Sequence, residues 1–310
     1  MGDYEYHEPV MVQEVIDLLI TDRSGVYVDG TTGGAGHSIR ILNELSQDGC
    51  LIAMDVDPDA INQAKQRLRS LTNQIIFAQR SYSELSAVLA EENIAAVDGV
   101  LLDLGVSSYQ IDAPERGFSY DSNGPLDMRM SSSQTQTAAD VVSEFDEKLL
   151  SEIFFKYGEE RKSRVIARQI VKQRSKQPIE TTGDLVAIIE RVLPFKLRVK
   201  SLSRIFQALR IYVNNELERL KTGLPAFVNA LKPGGRLVVM SYHSLEDRIV
   251  KEFFREQENP CTCPPEFPVC MCHKKPTVKI LTKRAITPTL DEIERNSRSR
   301  SAKLRAIEKL

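Results

Sequence analysis

The chain has 310 residues, 42% hydrophobic and 27% charged, with only 16 glycines and 14 prolines. That excludes a collagen-like or low-complexity protein and leaves enough core to fold without disulfides or a metal. The net charge of −2 conceals unlike segments: residues 1–155 carry 9 basic and 26 acidic side chains, residues 156–221 carry 16 and 7, and residues 274–310 carry 11 and 4.

Two basic segments on a near-neutral chain point either to a polyanionic partner or to solvated helix faces. No apolar run approaches the ~20 residues of a membrane-spanning helix. Met1 to Met11 is acidic, with no apolar stretch of a signal peptide. Four of the five cysteines fall within Cys261–Cys272. The expectation is a cytoplasmic protein in a reduced compartment.

Strand and helix patterns alternate at first. Val26–Asp29 reads as a strand, Gly30 to Gly36 as a glycine-rich turn, and Ser38–Leu45 as a helix with Ile39, Leu42 and Leu45 on one face. Cys50–Val56 reads as a second strand. Asp57-Pro58 is an N-cap with proline at the first helical position, opening a helix to Leu68. Gln74–Ala78 and Val97–Leu104 read as the third and fourth strands. Continuous apolar strands separated by helices predict a parallel sheet covered on both faces.

Residues 108–135 lose all periodicity, and 138–220 then read as helical, with runs Leu149–Tyr157, Arg161–Arg174, Gly183–Leu193 and Ser203–Leu220. Leu224–Leu231, a Lys232-Pro-Gly-Gly235 turn and the strand Arg236–Ser241 restore the α/β pattern. The expectation is a discontinuous α/β domain, 1–107 with 222–310, and an inserted helical domain at 108–221.

Asp29-Gly-Thr-Thr-Gly-Gly-Ala-Gly-His37 joins a strand to a helix, where a ligand meets the carboxyl edge of a sheet. Asp55 follows Gly36 by 19 residues and could accept ribose hydroxyls. The spacing lacks the third glycine of a dinucleotide fingerprint and the Gly-Lys-Ser/Thr of a phosphate loop. What remains is similar to the first motif of S-adenosylmethionine-dependent methyltransferases. Ser81-Tyr82 could flank an adenine. Asp103 could orient an acceptor amine, or cap the next turn, because a carboxylate ending an apolar strand needs a partner. Tyr242 could stack on an extruded base. His243 faces the substrate side or satisfies a core hydrogen bond. His7 covers the cleft or lies on the surface. Cys50 reads as core.

Arg161, Lys162, Arg164, Arg168, Lys172, Arg174 and Lys176 crowd one helix, Lys196, Arg198, Lys200 and Arg204 a loop, and Arg295, Arg298, Arg300, Lys303 and Arg305 the tail. Such side chains contact phosphates without reading sequence. Cys261, Cys263, Cys270 and Cys272 form a C-x-C…C-x-C cluster, read as a structural zinc site, as free thiols or as a redox-labile pair.

Joint order makes the motifs specific. His7-Glu-Pro-Val10, Asp29 to His37, Asp103-Leu-Gly-Val-Ser-Ser108, Arg116-Gly-Phe-Ser-Tyr120 and Gly124-Pro-Leu-Asp-Met-Arg-Met130 are followed by Lys156-Tyr-Gly-Glu-Glu-Arg161, Phe206-Gln-Ala-Leu-Arg-Ile211, Ser241-Tyr-His-Ser-Leu-Glu-Asp-Arg248 and Arg298 to Arg305. Over essentially the whole chain this resembles the RsmH (MraW) family, the 16S ribosomal RNA cytosine-N4 methyltransferases. The resemblance implies a Rossmann-like α/β methyltransferase sheet with an all-helical insertion that helps hold RNA. It implies an S-adenosylmethionine site at Ala35, Gly36, His37, Asp55, Tyr82, Asp103 and Gln110. Asp103 and His243 are catalytic candidates from their own place after the fourth strand and after the strand Arg236–Ser241. The resemblance also implies methylation of a cytidine in the decoding region of the small subunit. Departures are Tyr82 where many members have Phe, Ser131 where Asp is usual, Lys200-Ser-Leu-Ser203 where His-Pro-Ala-Thr is common, and Ser297 where Pro is usual. The oligomeric state stays open, a homodimer being one option.

Overall fold

The computed structural model describes residues 9–131, 133–264 and 271–310. The chain divides into two compact units, residues 1–105 with 218–310, and residues 106–217.

The first unit opens with α1 (Val12–Leu19), β1 (Val26–Asp29), α2 (Gly36–Glu44), β2 (Cys50–Met54), α3 (Pro58–Leu68), β3 (Gln74–Ala78), α4 (Leu85–Glu91) and β4 (Val97–Asp103). Asp57 caps α3 by accepting from the Asp59 N–H at 3.0 Å. β2 stops at Met54, short of the expected Val56, because the Asp55 carboxylate takes the Asp57 N–H into a turn.

The second unit holds α5 (Ser108–Asp112), α6 (Ala138–Glu144), α7 (Glu147–Gly158), α8 (Ser163–Arg174), α9 (Thr182–Val192) and α10 (Phe195–Asn214). Its core includes Phe154, Ile166, Ile170, Ile189, Ile205 and Leu209. The aperiodic segment before α6 is pinned by polar contacts. Arg129 grips Asp127 in a two-pronged pair at 2.7 Å. Buried Asn214 accepts from the Met130 N–H and donates to the Met128 carbonyl, both at 2.8 Å. The helix expected from Ser203 to Leu220 is two helices, because Asn215 turns left-handed (φ 51°) and ends α10. α10 also starts earlier than expected, so Lys196, Arg198 and Lys200 lie on a helix rather than in a loop.

The chain resumes the first unit through α11 (Glu216–Ala230), β5 (Leu231–Ser241), α12 (Ser244–Glu258), β6 (Val278–Ile280), α13 (Leu290–Arg295) and β7 (Lys303–Lys309). Among the described residues, seven strands run in the order β3-β2-β1-β4-β5-β7-β6. β3 through β5 are parallel and β7 is antiparallel to both its neighbours. This is a Rossmann-like α/β sheet. Alternate residues face opposite cores: Val28, Ile52, Val100, Leu102 and Val239 pack with Phe227 and Phe254, while Tyr27, Leu51, Leu101, Val238 and Met240 pack with Leu19 and Ile41. The expected Lys232–Gly235 turn sits within β5 as an irregularity. Pairing with β4 jumps from Val97–Leu231 to Gly99–Arg236, and Gly234 takes φ 79°.

Asp98 holds the amino end of the sheet. Its Oδ2 accepts from the Val26 N–H and from Lys232 Nζ, both at 2.7 Å. Asp98→Ala leaves that part-buried strand-end N–H without its acceptor, so urea unfolding should show a loss of about 1 kcal/mol. An unchanged midpoint would contradict this reading.

Candidate functional site

The turn after β1 is bound into the sheet by its own backbone. The Gly30 N–H donates to the Leu101 carbonyl at 2.9 Å and the Thr32 N–H to the Met54 carbonyl at 3.0 Å. Gly33 (φ 49°) and Ala35 (φ 60°) are both left-handed, a conformation that costs a non-glycine residue on the order of 1 kcal/mol. A Cβ on Gly36 would lie 2.8 Å from the Pro9 ring. The chain therefore enters α2 tightly, with the first N–H groups of the helix left for a partner outside it. Asp29 is buried beneath the turn, accepting from Ser38 Oγ at 2.6 Å. Burial pushes its carboxyl above the usual range, against the pull of Ser38.

Asp55 faces this turn from the end of β2. One oxygen accepts from the Gly33 N–H at 2.8 Å and the other from the Asp57 N–H at 2.9 Å. Burial raises its pKa to about 6, against those two hydrogen bonds. Tyr82 opens the turn after β3, its ring 6.1 Å from that of Phe227.

Asp103 ends β4. Its N–H donates to Thr31 Oγ1 at 2.6 Å, which ties β4 to the β1 turn. Tyr242, just past β5, donates its hydroxyl to Asp103 Oδ1 at 2.9 Å. His37 Nδ1 lies 3.5 Å from Oδ2, while His37 Nε2 bonds the Val10 carbonyl at 2.9 Å. Burial raises the Asp103 pKa, and His37 and Tyr242 pull it back. The Tyr242 pKa is held well above 10 by burial and the adjacent carboxylate, so the phenol stays a donor.

His243 is the N-cap of α12. Its Nδ1 accepts from the Glu246 N–H at 3.4 Å, and its Nε2 lies 3.1 Å from Glu246 Oε1. The other Glu246 oxygen accepts from the Tyr242 N–H at 3.0 Å. The histidine thus braces the backbone that carries Tyr242. Tyr242, expected as a stacking ring, spends its hydroxyl on Asp103. No local signal announces that contact across 139 positions; it arises because β4 and β5 are neighbours.

Ala35, Gly36, His37, Asp55, Tyr82 and Asp103 thus lie on the carboxyl-edge turns of β1 to β4. Gln110 belongs to the helical unit, where its Oε1 accepts from the Ser107 N–H at 3.0 Å in a capping box. His7 and Cys270 lie outside the described residues. The thiols of Cys261, Cys263 and Cys272 lie within 4.8 Å of one another. Several basic residues have structural partners: Arg174 bonds the Val142 and Phe145 carbonyls, and Lys303 and Arg305 flank Asp247 at 3.1 and 2.7 Å. Arg161, Lys162, Arg164, Lys172 and Lys176 are exposed on and beside α8.

Comparison with known sequences gives a match to the MraW methylase family over residues 4–310. The ribosomal RNA small subunit methyltransferase H of Carboxydothermus hydrogenoformans is 49% identical over 306 residues, covering 98% of each chain. The protein of the same name from Clostridium botulinum is 49% identical over 306 residues, covering 98% of this chain and 99% of that one. Its namesake from Syntrophus aciditrophicus is 47% identical over 312 residues, covering 100% and 99%.

Proposed function

The chain belongs to the MraW methylase family, and we propose that it methylates the exocyclic N4 of a cytidine in 16S ribosomal RNA, in the decoding region of the small subunit, using S-adenosylmethionine. The observation that carries this reading is Asp103, a buried-edge carboxylate held by Tyr242 and His37 beside the β1 turn. The names of the relatives supply the RNA.

The residues fit the cofactor by the chemistry of their donors and acceptors. The first turn of α2 offers Gly36 and His37 N–H groups, Asp55 offers carboxylate oxygens, and Tyr82 offers a ring. When bound, S-adenosylmethionine supplies an electrophilic methyl group on a sulfonium. The cytosine amine is a weak nucleophile because its lone pair conjugates with the ring. Asp103 would accept a hydrogen bond from N4–H, which would direct that lone pair, and would take the proton as the methyl group leaves the sulfonium for N4 and the sulfur becomes a neutral thioether. Burial raises the basicity of Asp103, while Tyr242 and His37 oppose that rise and orient the carboxyl group. His243 acts one step removed, through Glu246 and the Tyr242 backbone. Exposed basic residues of α8 hold phosphates.

Asp55 makes cofactor affinity depend on pH. Only its ionised form accepts from both ribose hydroxyls, and its pKa is about 6. Calorimetric titration should find S-adenosylmethionine binding weakening as pH falls through about 6, and Asp55→Asn should flatten that dependence. A wild-type profile that is flat from neutral to acid would remove Asp55 from the ribose role.

The direct test is mass spectrometry of nucleosides from small-subunit RNA treated with protein and S-adenosylmethionine, as free RNA and as assembled subunits. N4-methylcytidine supports the proposal. No methylated nucleoside in either substrate moves weight to DNA or to a non-catalytic assembly role.

A further inference from the structure

We propose that the thiolates of Cys261, Cys263 and Cys272 hold one zinc ion, which closes the loop between α12 and β6. Two arms of that loop bring the sulfurs within 4.8 Å of one another. Tetrahedral zinc with Zn–S near 2.3 Å requires sulfur separations of about 3.8 Å, so small side-chain movements complete the site. Three soft thiolates select zinc over magnesium or calcium, and tetrahedral zinc takes one further donor beside them. The separation also suits a single ion better than an iron–sulfur cluster, whose cysteines ligate different irons. The Met271 N–H points at Cys263 Sγ at 3.2 Å, a bond that stabilises the sulfur as a thiolate.

The surrounding chain gives such an ion a task. The neck of the loop is tied where Thr277 donates to Gln257 from N–H (3.1 Å) and from Oγ1 (2.8 Å), and where the Ile280 N–H donates to Glu258 at 2.7 Å. β6 is only three residues long, Val278–Ile280, at the edge of the sheet. Beyond the neck the described residues of the loop form no helix or strand. A metal bridging Cys261 and Cys263 to Cys272 removes loop entropy from the unfolded chain, as a cross-link does. This proposal is independent of the methyl-transfer reading.

The test uses the full chain, purified with reductant and without added metal. Elemental analysis should find about one zinc per chain, and Cys263→Ser or Cys272→Ser should leave less than about a tenth of it. Cys50→Ala should keep the metal, since Cys50 is buried in β2. Cobalt exchanged into the site should show thiolate charge-transfer absorption, which separates true coordination from a folding defect in the serine variants. Chelation should lower the thermal midpoint, and zinc should restore it. Protein that contains no zinc and gains no stability from it, that contains iron instead, or whose thiols form a disulfide under reductant overturns the proposal.

Discussion

Asp103→Asn is expected to lower kcat for methyl transfer by at least ~100-fold, the usual scale for a general base held in place. The amide still fills the space, and its oxygen can still accept a hydrogen bond, but it is uncharged and does not take a proton. Tyr242→Phe removes one hydrogen bond to the carboxylate and leaves the base present. It should cost roughly 10-fold in kcat, about 1.4 kcal/mol. The two variants differ further in pH dependence. Burial already raises the Asp103 pKa and the Tyr242 hydroxyl lowers it. Losing that hydroxyl raises it again, so the acid limb of the kcat profile moves to higher pH in Tyr242→Phe. A phenylalanine that merely loosened packing would lower the whole profile without moving its limb. Full methyl transfer by Asp103→Asn, with cofactor binding intact, would remove Asp103 from the chemistry.

The parts of this site that were legible in the sequence are those that local rules determine. The β1 turn is visible because small residues follow Asp29 so closely, and Gly33 and Gly36 occupy positions that favour glycine. Asp57 with Pro58 marks the start of α3 by capping chemistry alone. What was not legible depends on pairing between distant segments. β7 inserts antiparallel between β5 and β6, and its basic Lys303 and Arg305 flank Asp247. Tyr242 reads in the sequence as a stacking ring, and its hydroxyl contact with Asp103 depends on the neighbouring strand. The break at Asn215 escaped because the apolar pattern continues through it. Buried Asn214 bonds to Met128 and Met130, fixing where α10 ends.

Gly158→Ala should destabilise the helical unit by about 3 kcal/mol, the upper part of the overpacking range, because nothing nearby can yield. Gly158 ends α7, and a Cβ there would run into the Arg204 carbonyl oxygen and lie 3.2 Å from the Ala208 Cβ. The obstructing atom is main chain in the middle of α10, so no rotamer change relieves it. Gly158 is buried, and two further contacts hold the same junction. Gln207 Nε2 donates to the Tyr157 carbonyl at 2.9 Å. Buried Glu160 takes the Lys162 N–H at 2.7 Å and lies 3.8 Å from Arg204. If α10 moves aside for the methyl group, Glu160 loses its nearest cation, and a buried carboxylate without one is costly. The short Lys156–Arg161 motif is therefore a packing device before it is anything else. Hydrogen exchange should show α7, α8 and α10 losing protection while β1, β2 and β4 keep theirs, with the midpoint of the helical unit falling by roughly 10 °C. Unchanged protection across α10 would mean that the two helices tolerate a wider separation, and that the glycine at 158 answers to something other than their packing.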